Sequence, residues 1–202
     1  MSLKSWLFLA ASLVVVGLLT FLSPLEKILG ANARIVYLHG ALVWVALAAI
    51  LLAGATGGMG LLFRSQRLHA WSQAFGRTGL LLWLVFLPMS LYVMQANWNG
   101  LFLDEPRFRI PLNFAIFGLL LQVGLSLLPD LKWTSWGNLG FAAALMWGMF
   151  GIDAAMHPDS PVMNSGARDI QLFFLALLVM LLVVALVIAR LFLQAARRNK
   201  RD

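Results

Sequence analysis

The sequence contains no cysteine. That single absence excludes disulfides, thiolate metal sites, iron–sulfur clusters and a thiol nucleophile together. Charge is scarce as well, since only 11% of the 202 residues are Asp, Glu, Lys or Arg. Histidine is scarcer still: there are three, so imidazole chemistry rests on His39, His69 and His157 alone. Redox or metal chemistry would need a borrowed cofactor, held by these few nitrogen ligands.

What the chain has in abundance is apolar surface. Hydrophobic residues make up 61% of it and the mean hydropathy is +0.87, more than a soluble domain of this size can hide. The sequence is that of a polytopic membrane protein. Six segments approach the roughly 20 apolar residues that a membrane helix needs. They are Trp6 to Leu22, Ile35 to Leu52, Gly79 to Met94, Ile110 to Leu128, Trp136 to Ile152 and Ile170 to Phe192. The connections are too short for a soluble domain, so residues 1–202 are expected to form one integral membrane domain, an all-α bundle. Lys4 precedes the first segment as in a signal peptide, but no small-x-small cleavage pattern follows, so that helix is expected to be retained.

The net charge of +7 could suggest nucleic acid, yet its distribution matches a membrane topology instead. With the amino terminus cytoplasmic, the inner segments hold ten basic and two acidic side chains, the outer ones five basic and six acidic. The positive-inside rule then puts both termini in the cytoplasm, with the basic tail Ala195 to Asp202 near anionic lipid. A bacterial or archaeal plasma membrane is the expected location, and no nucleic-acid partner is expected.

That orientation sorts the histidines. His69 falls in Phe63 to Arg77, read as a basic cytoplasmic connection resting on the headgroups, and receives no chemical role. His39, in Arg34-Ile35-Val36-Tyr37-Leu38-His39-Gly40, stands about a turn inside the outer end of the second helix. His157, in Asp153-Ala154-Ala155-Met156-His157-Pro158-Asp159, lies in the outer connection before the sixth. Taken singly, His39 reads equally well as an imidazole satisfied by a neighbouring carbonyl, and His157 as a solvated loop residue. Together they are the strong nitrogen ligands of one face and could take the two axial positions of a haem. The segment from Asn97 to Arg109 adds Trp98 and Phe102, which could pack on a porphyrin, and Arg107 and Arg109, which could hold carboxylates. An ordinary aromatic belt accounts for the same residues.

Arg34-Ile35-Val36-Tyr37-Leu38-His39 resembles the start of the second helix in CcmC-type haem-handling proteins of the cytochrome c maturation family, where an Arg-Ile-x-Tyr-x-His run occurs. Trp98-Asn99-Gly100 followed by Glu105-Pro106-Arg107 is similar in spacing to that family's tryptophan-rich signature, and His157 falls where its second histidine lies. The resemblance spans most of the chain. It implies haem b on the outer face, axial ligation by His39 and His157, a Trp98 to Arg109 platform, and Arg34, Arg107 and Arg109 as candidate propionate partners. It also implies a haem-handling protein rather than a catalyst, passing haem to an extracytoplasmic acceptor. Leu101, Phe102 and Asp104 stand where tryptophans are expected, Glu105 replaces the terminal Asp, and Gly40-Ala41 replaces Val-Pro. Fewer indoles weaken presentation of haem more than binding.

A cofactor-free accessory subunit of a larger respiratory or photosynthetic membrane complex is the alternative. Gly54 with Gly58, and Gly57 near Gly60, would suit close contacts with partner helices there.

Overall fold

The computed structural model describes residues 3–149, 162 and 166–198. Six α-helices occur among them: α1 (Leu3–Leu22), α2 (Ala33–Phe63), α3 (Gln66–Trp98), α4 (Pro106–Ser126), α5 (Leu131–Met149) and α6 (Arg168–Arg198). All but α5 are long and apolar enough to cross a membrane. α2 and α3, at 31 and 33 residues, each extend about 45–50 Å, which covers the headgroup layers as well as the hydrocarbon core.

α2 is the centre of the bundle. It packs along α3, and also against α5, α6 and α1, while α4 lies on α3 and α5. Small side chains make the close α2 contacts possible. A Cβ on Gly54 would lie 2.7 Å from Ala142 Cβ, and one on Gly57 would lie 2.9 Å from the Ser135 carbonyl oxygen, both in α5. One on Gly60 would lie 2.8 Å from His69 Nδ1 in α3. The glycine spacing expected to serve partner helices is therefore occupied within the chain; only Gly58 among the four has ordinary room, 3.7 Å from Leu139.

The apolar windows find every helix but understate α2, α3 and α6. The reading of Phe63 to Arg77 as an interfacial connection is corrected. The turn is only Arg64 and Ser65, with Arg64 left-handed at φ 51°, and α3 begins at Gln66. Its first turns read as polar because His69, Ser72 and Thr78 point inward and are fully buried. α5 is less apolar for the same reason: Thr134, Ser135 and Asn138 are buried, while Trp133, Trp136 and Trp147 are exposed. Exposed indoles toward both ends of that helix are what a membrane interface selects.

Between α1 and α2 the chain turns through Gly30, whose φ of +54° favours glycine. The Glu26 carboxylate accepts hydrogen bonds from the backbone N–H groups of Ile28 and Leu29, each at 2.8 Å. Those bonds hold its carboxyl below the usual carboxylate range.

Candidate functional site at the His39 end of the bundle

His39 lies in the second turn of α2. Its ring is tilted against Phe86 of α3, with centroids 5.1 Å apart and planes at 35°. Phe86 is buried, so the half-buried imidazole turns toward the bundle rather than toward lipid. Beside His39, α2 packs closely on α6. A Cβ on Gly40 would lie 3.4 Å from the Phe174 ring of α6, and Ala41 is fully buried, so larger residues would push these helices apart.

Around this end the core is aromatic. Tyr37, Phe86, Phe108 and Phe174 belong to one buried cluster, with Trp98 and Phe102 packed against it. Trp98 and Phe102 of the expected platform thus face the bundle. The α2 start is tied to the α3 end by Asn32 Nδ2, which donates to the Ala96 carbonyl at 3.0 Å. Arg34 places its guanidinium 5.2 Å from the centre of the Phe21 ring at the end of α1. Arg107 is half-buried in the first turn of α4, whereas Arg109 is exposed. His157, with Asp153 and Asp159, lies outside the described residues, and so does the expected facing of the two imidazoles.

Sequence reasoning missed what is buried beside these groups. Arg34 Nε, Tyr37 Oη, Asn97 Oδ1 and Glu105 Oε1 are buried without a hydrogen-bond partner among the described residues. A buried polar atom left unpaired costs about 1–3 kcal/mol, so four at one end of a bundle mark a place where polar groups are still to be supplied. Two are donors suited to a carboxylate and two are acceptors. An inward imidazole, an aromatic wall and basic donors are side chains of the kind that could hold haem, whereas the Glu105 carboxylate would have to face away from its propionates. His39 would hold the iron on one side, Arg34 and Arg107 carry the charge for propionates, and Trp98 and Phe102 supply apolar packing. The visible sequence signal was polar residues at helix ends whose other positions are apolar, but sequence does not say which of them turn inward.

A second polar region occupies the opposite half. Asn138 Nδ2 donates to the Ser72 carbonyl at 2.9 Å and lies 3.1 Å from Ser72 Oγ, while its Oδ1 accepts from Gln122 Nε2 at 2.7 Å. Ser72 Oγ in turn donates to the Ala53 carbonyl at 2.8 Å, so one chain of bonds joins α2, α3, α4 and α5. A cavity of about 10 Å³ opens between Ala53, Gly76, Gly118, Gln122 and Asn138, the lower limit for one water molecule. Nearby, His69 Nδ1 lies 2.7 Å from Ser135 Oγ. These are interhelical ties rather than a ligand site, because the amide groups that face the cavity are engaged with one another.

No protein-family model matches the chain, and no curated protein matches it in sequence.

Proposed function

We propose that this protein is a membrane haem-binding protein that handles or presents haem b on the extracytoplasmic face, for cytochrome c maturation or a related delivery process. All six helices cross the membrane with both termini cytoplasmic in this reading, so the His39 end is the outer one. His39 and His157 would hold the haem iron, Trp98 would form part of the platform, and Arg34, Arg107 and Arg109 would pair with the propionates. Bound haem would supply an iron centre with two imidazole ligands. The protein's own part is to orient the ring, shield it from lipid and leave an edge open to an acceptor.

The observation that carries this reading is the set of polar atoms on Arg34, Tyr37, Asn97 and Glu105, buried without a partner among the described residues, at the same end as an inward-turned His39. The exposed position of Arg109 makes it the weakest of the assigned partners. The test is the visible spectrum of purified protein in detergent after haem supplementation. A reducible Soret band with sharp alpha and beta bands is expected; a featureless spectrum from folded, supplemented protein favours the cofactor-free subunit.

A further inference from the structure

His69 stands apart from the proposed haem site, at the far end of the bundle, and is fully buried. Gly57 and Gly60 of α2 and Ser135 of α5 close around its part of α3. Its Nδ1 is 2.7 Å from Ser135 Oγ, while its Nε2 is buried without a hydrogen-bond partner among the described residues. A neutral imidazole tolerates this arrangement, because Nδ1–H can donate to Ser135 Oγ and leave Nε2 as a bare lone pair. An imidazolium does not. Both nitrogens then donate, and Nε2–H carries positive charge into a seam that offers it no acceptor among the described residues.

We propose that His69 is a proton-operated latch between the α2–α3 hairpin and α5, closed when the imidazole is neutral and opened when it takes a proton from the adjoining aqueous phase. The charged groups around it are consistent with an opening in one direction. Asp130 and Lys132 stand in the α4–α5 turn and at the start of α5, the end of that helix at which Ser135 meets His69. They are solvent-accessible and 3.8 Å from each other. α2 presents glycines at the contact, its one charge, Arg34, being at the far end and Arg64 following it; α3 carries Arg67 on its exposed side and half-buried Arg77 two turns on, and α6 carries Arg190, also exposed. Among the described residues, the carboxylate at this end of the bundle is Asp130, solvent-accessible beside the start of α5; Glu26, Asp104, Glu105 and Asp169 stand at the other end. Movement of the ring toward Asp130 would part Ser135 from α3 and expose the first turns of α5. This inference is independent of haem binding.

The absence of cysteine allows a single reporter thiol. Thr134→Cys places it at a buried position next to Ser135. Its alkylation by a water-soluble maleimide is compared in nanodiscs at about pH 7.5 and about pH 5.5, with and without His69→Gln, so that thiol ionisation cancels in the ratio. The ratio of the rate with His69 intact to the rate in the His69→Gln background is expected to rise about tenfold or more on acidification. Asp130→Asn, at a solvent-accessible position where the amide oxygen can still cap α5, is expected to move that rise to lower pH. Equal pH dependence in the two backgrounds overturns the proposal. If His69→Gln does not fold, the Asp130→Asn comparison decides alone, and an unmoved midpoint overturns it.

Discussion

Gly60 and His69 meet so closely that a Cβ added to the glycine would lie 2.8 Å from the imidazole Nδ1 and 3.2 Å from the His69 backbone nitrogen. The contact fixes how near α2 and α3 can approach at this end, and backbone cannot yield as the tip of a flexible side chain would. Gly60→Ala is expected to destabilise the bundle by about 1–3 kcal/mol, the cost of overpacking, of which alanine's better helix propensity offsets only part. Gly58→Ala, whose Cβ meets only Leu139 at 3.7 Å, should cost nothing. Unfolding of both variants in detergent checks the contrast; equal losses would mean that the close approach is not what limits Gly60.

Asn138 and Gln122 should be energetically coupled. Their 2.7 Å hydrogen bond lies out of bulk water and Asn138 is also committed to Ser72. A double-mutant cycle with Asn138→Ala and Gln122→Ala is expected to give about 0.5–2 kcal/mol of interaction, the range for interhelical polar pairs in membranes. Additive losses would show that the network is not cooperative.

The turn between α1 and α2 should loosen in acid. Hydrogen bonds from the Leu29 and Ile28 amides lower the Glu26 carboxyl, so the stabilisation is present above the ordinary carboxylate range and is lost as pH falls through the lowered value. Once intrinsic rates are corrected for, amide exchange at Ile28 and Leu29 should therefore accelerate below about pH 4 in the parent. In Glu26→Gln the same amides should exchange at one corrected rate throughout, and a parent that behaves likewise would remove the carboxylate's role.

Trp98 packs on the buried cluster from the end of α3, so its indole would contribute apolar contact to a bound haem without ligating it. Trp98→Ala is expected to lower haem occupancy less than loss of either proposed ligand, His39 or His157. The haem-to-protein ratio after identical supplementation measures this, and a loss as large as that of His39→Ala would require a different role for the indole.

The helices were legible because an apolar run of membrane length has few other solutions in a chain this poor in charge. Their ends were less so. In α3, burial of His69, Ser72 and Thr78 against neighbouring helices makes an inward face look like a solvated connection when read as composition. Gly54, Gly57 and Gly60 show the complementary limit: small-residue spacing announces a close contact but not whether the other helix belongs to the same chain. At the candidate site, the position of His39 in the sequence did not say which way its ring turns, and the exposure of Arg109 distinguishes it from Arg107. Tyr37, Asn97 and Glu105 could not be singled out, since their significance lies in being buried without partners among the described residues, a property of packing.

The central claim is ligation of one haem by His39 and His157, and visible spectroscopy of the purified, haem-supplemented protein and its three single histidine variants tests it most directly. His39→Ala and His157→Ala should each turn a six-coordinate low-spin spectrum into a weaker or five-coordinate one, while His69→Ala, altered at the opposite end of the bundle, keeps the parent's spectrum. Folded His39→Ala and His157→Ala proteins that retain the parent's bands unchanged would contradict the account.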